Sequence, residues 1–174
     1  MAGIAAGAEV NVQSDWNETQ TSSDSFIQNK PSIKKGTDYD NTSIIVGSIS
    51  GENVNTASQP YAFAEGIATA ARALYTHAEG KSTIAGVEGG DGAAAHAEGA
   101  NTQALGTTSH AEGKTTTASG NASHAEGLET KAYGEQSHAE GTYSCSSDQS
   151  THAEGYSTIA SASCAHAEGY STRG

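Results

Sequence analysis

The chain has 174 residues, a length that ordinarily suggests one domain, but its composition excludes a globule built around an oily core. Leucine occurs only at Leu74, Leu105 and Leu128 and phenylalanine only at Phe26 and Phe63. So little apolar bulk cannot offset roughly 1–2 kcal/mol of backbone entropy per residue. The formal net charge of −12 argues against nucleic acid or an anionic membrane as a partner.

Residues 1–40 carry no repeat and are expected to form a small connector or cap. The segment from Ala2 to Ala8 is too short and too rich in small residues for a signal peptide, and no apolar run is long enough to span a membrane. Val10-Asn11-Val12 alternates like a short strand. A Ser/Thr/Asp-rich turn region runs from Thr19 to Ser25, and Asn29-Lys30-Pro31 is a turn signal. Trp16, Phe26 and Ile27 are the expected packing anchors. Lys30, Lys34 and Lys35 read as a solvated turn. The run Val10-Asn11-Val12-Gln13-Ser14-Asp15-Trp16-Asn17-Glu18, with Asp24-Ser25-Phe26-Ile27-Gln28-Asn29-Lys30-Pro31 after it, resembles a segment of tail-fibre and related structural proteins of phages and prophages. In those proteins the segment precedes fibrous or repetitive regions, so the resemblance implies a virion connector and not an enzyme.

From residue 41 to 174 the chain is periodic, and the period decides the fold. His-Ala-Glu-Gly occurs seven times, at His77, His96, His110, His124, His138, His152 and His166, and these are all the histidines present. From His96 onward the interval is 14 residues without exception. Phe63-Ala64-Glu65-Gly66 is an eighth copy with Phe in the His slot, and Ser43-Ile44-Ile45-Val46-Gly47 is a degenerate first one. Two coils are longer, at 19 residues: Gly47 to Gly66 and Gly80 to Gly99. In the second of these the extra residues fall in a Gly-rich excursion, Val87 to Ala94. Its Gly89-Gly90-Asp91-Gly92 has the composition of a calcium-binding nonapeptide turn, but one copy lacks the stacked partners such a site needs. The repeat stops in mid-pattern at Gly174, so the sequence is expected to be a piece of something longer.

Ser109 to Ala122 is the type coil. Ser109-His110-Ala111-Glu112-Gly113 reads as a strand ending at a Gly corner, and Lys114-Thr115 as a turn. Thr116-Thr117-Ala118-Ser119-Gly120 reads as a second strand, and Asn121-Ala122 turns back. Strand side chains alternate between faces. One face therefore carries Ser109, Ala111, Gly113, Thr116, Ala118 and Gly120, all small. It stays small in every coil: Thr76, Ala95, Ser123, Ser137, Thr151 and Ala165 precede other histidines, and Thr83, Thr102, Thr130, Ser144, Thr158 and Thr172 open other second strands. This face is the expected inside of a thin two-sheet roll, with Gly supplying backbone conformations at the corners that other residues resist. Where Ala73, Val87, Asp148 and Ala162 replace the second-strand Gly, a looser corner is expected. Cys145 and Cys164 fall in different slots of neighbouring coils, so no bridge between them is expected.

The outward positions of the second strand vary freely, as at Gln103, Leu105, Lys131, Tyr133, Cys145 and Ser147, which is how a solvated face behaves. The outward positions of the first strand do not vary. The expected reason is contact with a matching repeat, most simply another copy of the chain, with three rolls around an axis. The interface residues are then Ile44, Val46, Phe63, His77, Glu79, His96, Glu98, His110, Glu112, His124, Glu126, His138, Glu140, His152, Glu154, His166 and Glu168. The bland alternative is a polar exposed face kept by recent duplication. A buried Glu ring alone would be costly, so each Glu is expected to hydrogen-bond a His of its own or a neighbouring chain, raising the folded His pKa. The resulting stability would be present below about pH 6.5 and lost as pH rises through the folded value.

The frame Ser-x-Ala-x-Gly-x-x-Thr-x-Ala-x-Gly-x-x, covering residues 43–174, is similar to the repeat in the heads of trimeric autotransporter adhesins. That resemblance implies an all-β, left-handed parallel β-roll in a homotrimer. In that family both outward positions of the first strand are typically apolar. Ile44, Val46 and Phe63 keep that character, while His and Glu depart from it from His77 onward. Versions with His-Ala-Glu-Gly also occur in phage structural proteins.

The expected function is a structural trimeric segment of a phage or prophage tail fibre, extracellular on the virion. The alternative is a bacterial surface adhesin head of the same fold. Catalysis is not expected, because it needs one asymmetric pocket with distinct roles and every coil here offers the same pair. No cofactor is assigned. His and Glu are competent ligands for zinc or nickel, but hydrogen bonding is the favoured reading and no metal is assigned. Ice binding by Thr columns is disfavoured because the regular Thr slot faces inward. The expected partners are the chain itself, other tail proteins and a host-surface glycan or receptor. Tyr156 and Tyr170, in one corner slot a coil apart, form a candidate receptor ledge, with plain corner packing as the favoured reading.

Overall fold

The computed structural model describes residues 34–35, 43–47, 53–90 and 92–174. The strand expected at Val10–Val12, the anchors Trp16, Phe26 and Ile27, and Asp91 of the Gly-rich excursion lie outside the described residues. The chain divides into two units, Met1–Ser32 and Ile33–Gly174, and only the second is described below.

The second unit is a parallel β-solenoid with two sheets and, among the described residues, no helix. One sheet holds β1 (Lys34–Lys35), β2 (Ile44–Gly47), β4 (Phe63–Ile67), β6 (His77–Lys81), β8 (His96–Ala100), β10 (His110–Lys114), β12 (His124–Leu128), β14 (His138–Thr142), β16 (His152–Tyr156) and β18 (His166–Tyr170). The other is built from two-residue strands: β3 (Thr56–Ala57), β5 (Ala70–Ala71), β7 (Ile84–Ala85), β9 (Gln103–Ala104), β11 (Thr117–Ala118), β13 (Lys131–Ala132), β15 (Cys145–Ser146) and β17 (Ile159–Ala160). Apart from β1, each strand pairs in parallel with its equivalent one coil away, so His110 lies beside His96 and His124, and Glu112 beside Glu98 and Glu126. The 19-residue coils keep this register: Gly47 pairs with Gly66, and Gly80 with Gly99. The extra residues of the second long coil leave the solenoid, since Val87 is exposed and a Cβ on Gly89 or Gly90 would meet nothing within 4 Å. Lys34–Lys35, expected as a solvated turn, is instead a strand antiparallel to β2, with Lys34 opposite Ile45. It satisfies the edge that the first coil would otherwise leave open.

Alternation explains the interior. Ala64, Ala78, Ala97, Ala111, Ala125, Ala139 and Ala153 of the long strands, and Ala71, Ala85, Ala104, Ala118, Ala132 and Ala160 of the short ones, are fully buried. Thr69, Thr83, Thr102, Thr116, Thr130 and Thr158 form a buried column at the start of the short strands, so the regular Thr slot faces inward. Asn55 occupies that slot in the first coil. Its Nδ2 donates to the Val46 and Gly66 carbonyls at 2.7 and 2.8 Å, and its Oδ1 accepts from Thr69 N–H. The residue before each His has a second role besides being small. Ser109, Ser123 and Ser137 donate their hydroxyls across the corner to the Gly106, Gly120 and Gly134 carbonyls at 2.6–2.7 Å. Thr76 and Thr151 make the same bond to Ala73 and Asp148, so the corner keeps it where Gly is replaced.

Three features differ from expectation. The second strand shrinks to two residues because the chain bends beyond it: the Ala118 carbonyl accepts from both Leu105 N–H and Gly106 N–H, at 2.7 and 3.4 Å, and the ladder ends there. Gly113 and its equivalents are not on the interior face. They are exposed or half-exposed, with φ between +97 and +116°, and a Cβ on Gly113 would point along the stack to 2.3 Å from the Gly127 carbonyl oxygen. Finally, every seven-residue half-coil places one non-Gly residue in the left-handed region, as at Thr108, Thr115, Ala122, Glu129, Gln136 and Tyr143, with φ between 53 and 61°. This conformation is uncommon for any residue with a Cβ, and more so for Thr.

The Thr column carries a stability penalty. The Oγ1 atoms of Thr69, Thr83, Thr102, Thr116 and Thr130 are buried with no hydrogen-bond partner among the described residues. Thr158 escapes by donating to Ser144 Oγ at 2.8 Å. An unpartnered buried hydroxyl costs about 1–3 kcal/mol, whereas an apolar group of the same shape does not. Thr116→Val is therefore expected to raise stability by about 1 kcal/mol in chemical denaturation, and Thr158→Val to lower it.

Candidate functional site

The long strands set the outward stripe. Alternation turns the Ala between His and Glu inward, so both neighbours project from the same side of the sheet. Parallel pairing then stacks like on like. The rings of His77, His96, His110, His124 and His138 lie parallel within 12°, with centroids 4.7–5.0 Å apart. Phe63 continues the stack below His77 at 4.8 Å. Above His138 the rings of His152 and His166 tilt by 56 and 45°, at 4.9 and 4.8 Å. The structure thus brings His77, Glu79, His96, Glu98, His110, Glu112, His124, Glu126, His138, Glu140, His152, Glu154, His166 and Glu168 into one two-lane ribbon. Ile44 and Val46 extend it, exposed, at the first coil.

Within each coil Nε2 of His faces Oε2 of Glu two residues on. The separation is 3.5 Å in the coils of His77, His138 and His152, 3.6 Å at His124, 3.8 Å at His96 and His110, and 4.0 Å at His166. The expected hydrogen bond is therefore not made within the chain. Nε2 of His77, His96, His110, His124, His138 and His152 has no hydrogen-bond partner among the described residues, although the atom itself is buried. About a third of each side chain remains exposed from His77 to His138. The stripe is a half-covered surface in which the imidazole Nε2 atoms are hidden.

At two of the histidines the direction of the pKa within one chain is opposite to the one expected for the assembled stripe. His96 and His124 are held below the ordinary value, first by burial and then by the neighbouring histidines, His77 and His110 for the one and His138 and His110 for the other. Glu98 and Glu79, and Glu126 and Glu112, pull upward but do not prevail. The expectation counted the carboxylate beside each ring and left out the burial of the ring and the like-charged imidazoliums stacked on both sides. With the folded value depressed, the unfolded chain takes up protons first. Stability is then full above about pH 6.5 and is lost as pH falls through the folded value. Thermal melts between about pH 8 and pH 5 are expected to show the midpoint falling toward acid. A midpoint that rises toward acid would contradict this.

Elsewhere on the surface, Tyr156 and Tyr170 stack with centroids 5.1 Å apart and planes 7° apart, both exposed. Tyr143 meets Tyr156 edge-on at 5.8 Å, which lengthens the ledge by one coil. Tyr61 and Tyr75 form a similar stack at 5.2 Å. Sequence reasoning passed over Tyr143 and the Tyr61–Tyr75 pair, although their 14-residue spacing is the signal for the latter. Cys145 and Cys164 are both free. An open groove of about 280 Å³ runs over the short-strand sheet between Lys131, Tyr133, Tyr143 and Ile159.

The fold defines a class, the parallel β-solenoid repeat proteins. Comparison with known proteins goes no further: no family model, no curated protein and no solved structure matches this chain.

Proposed function

We propose that the chain is a rigid structural segment of a homotrimeric phage or prophage tail fibre, extracellular on the virion. Three left-handed rolls meet along the His/Glu stripe in this reading. The observation that carries it is the stripe itself: identical side chains in register, half-exposed, with Nε2 atoms that are buried yet unpartnered within one chain. An unpartnered buried nitrogen calls for an acceptor or donor from outside, and a second copy presents a repeat of the same spacing. The resemblance of residues 10–31 to tail-fibre segments supports the virion assignment. The exposed Tyr156–Tyr170 ledge is the surface offered to a host glycan or receptor. A bacterial surface adhesin head is the second reading, favoured by the apolar Ile44 and Val46 at the start of the stripe.

Sedimentation equilibrium tests the assembly. The expected mass is three times the 17.5 kDa of one chain, unchanged on dilution. Replacing Glu112 and Glu126 by lysine sets cations beside the imidazoles and is expected to dissociate the assembly. A wild-type protein sedimenting as a single chain overturns the reading.

A further inference from the structure

The stripe contains more than an interface. Between His77 and His138, each Glu lies between two successive histidines, and the donor atoms of each such trio lie within 4.8 Å of one another. The trios are His77/Glu79/His96, His96/Glu98/His110, His110/Glu112/His124 and His124/Glu126/His138. Two donors bound tetrahedrally to one zinc-sized ion at about 2.0–2.2 Å lie about 3.4 Å apart. The His–Glu separations of 3.5–3.8 Å in these coils are close to that before any adjustment. The two imidazoles converge by rotation about their side-chain bonds, for which the exposed third of each side chain leaves room.

The geometry points to a ladder of divalent transition-metal sites, each made of Nε2 atoms from two successive coils and the carboxylate of the first of them. Two imidazoles and one carboxylate suit zinc, nickel or cobalt and leave one position for water. Each Nε2 has a single lone pair and serves one ion. Neighbouring trios share a histidine, so only two trios that share none fill together: His77/Glu79/His96 with His110/Glu112/His124, His96/Glu98/His110 with His124/Glu126/His138, or the outer pair His77/Glu79/His96 with His124/Glu126/His138. The ladder therefore holds two ions per chain and not four. The upper coils, where the rings of His138, His152 and His166 are tilted, contain no such trio. This inference does not require the trimer, because every ligand of a site comes from one chain.

The test is titration of the full, tag-free chain with zinc, followed by elemental analysis after gel filtration. Cobalt substituted for zinc reports the ligand field through its visible absorption. Two ions per chain are expected for the wild type. The double variant His96→Ala/His124→Ala removes a ligand from all four trios and is expected to bind none. His152→Ala/His166→Ala leaves every trio intact and is expected to bind two. His110→Ala spoils the two middle trios but spares the outer pair, and is also expected to bind two. The far-ultraviolet circular dichroism of each variant separates lost ligands from lost fold. No zinc retained by the folded wild type overturns the inference, as does undiminished binding by a folded His96→Ala/His124→Ala. One ion per three chains, with cobalt spectra lost on dissociation, also overturns it in favour of rings of three histidines on an axis. Sedimentation of the metal-free protein reports separately on the assembly.

Discussion

Gly127→Ala is expected to lower the stability of the solenoid by about 3 kcal/mol or more, measured as the shift in the guanidinium denaturation curve. Two effects add at this position. Gly127 has φ +106°, a backbone region that an L side chain occupies only with strain, of order 1–3 kcal/mol. Its missing Cβ would also lie 2.1 Å from the Gly141 carbonyl oxygen and 3.0 Å from the Gly141 carbonyl carbon. Both obstacles are backbone, so relief requires the next coil to move away and the long-strand ladder to open. Gly89→Ala isolates the first effect: φ there is +100°, but a Cβ meets nothing within 4 Å. Its expected loss is about 1–2 kcal/mol. The difference between the two variants measures the contact between coils. Equal losses would mean that the coils are not held at this separation.

Ala125→Leu is expected to be nearly as damaging, for the opposite reason. Ala125 is fully buried, with Ala111 and Ala139 beside it in the same sheet. Among the described residues, apart from Ile45 and Asn55 in the first coil, the buried side chains are Ala, Ser and Thr. Adding three carbons to such an interior forces the sheets apart, where overpacking typically costs 1–3 kcal/mol, occasionally more. The sheets cannot part freely, because the Ser123 hydroxyl ties the corner to the Gly120 carbonyl at 2.6 Å. Stability in a stack is close to a sum of coil and interface terms, so a coil forced open loses both of its interfaces. A melting temperature more than 10 °C below wild type is expected for Ala125→Leu, on the usual few degrees per kcal/mol. Leu128→Ala, on the half-exposed outside of the same strand, is expected to change it little.

How legible this was depends on the kind of question. Alternation and a fixed interval are sequence properties, so the stack, the pairing of His110 with His124, and the inward turn of Ala111 and Thr116 could all be read directly. The longer coils could too, because Gly66 and Gly99 resume the frame. Direction along the stack could not. Alternation distinguishes inside from outside, and Gly113 is neither: its absent side chain points at the next coil. The left-handed backbone at Thr115 and Glu129 was hidden for a related reason, since those slots are not filled by the Gly or Asn that usually signal it. At the site, spacing put His and Glu on one ribbon but gave no distances, and 3.5–4.0 Å separates a charge contact from a hydrogen bond. Nor did pairing each His with a Glu weigh the burial of the rings and the neighbours stacked at 5 Å or less, which together lower the His96 and His124 values.

The uniform register has a bearing on how such a gene can change. A tandem duplication or deletion spanning one whole repeat would restore every ladder and every small-residue contact, and would lengthen or shorten the rod by about 4.8 Å. Any other in-frame insertion has to be extruded sideways, as the extra residues around Gly89 and Gly90 are. Rod length is thus a heritable trait that varies in fixed steps, leaving the chemistry of the surface untouched.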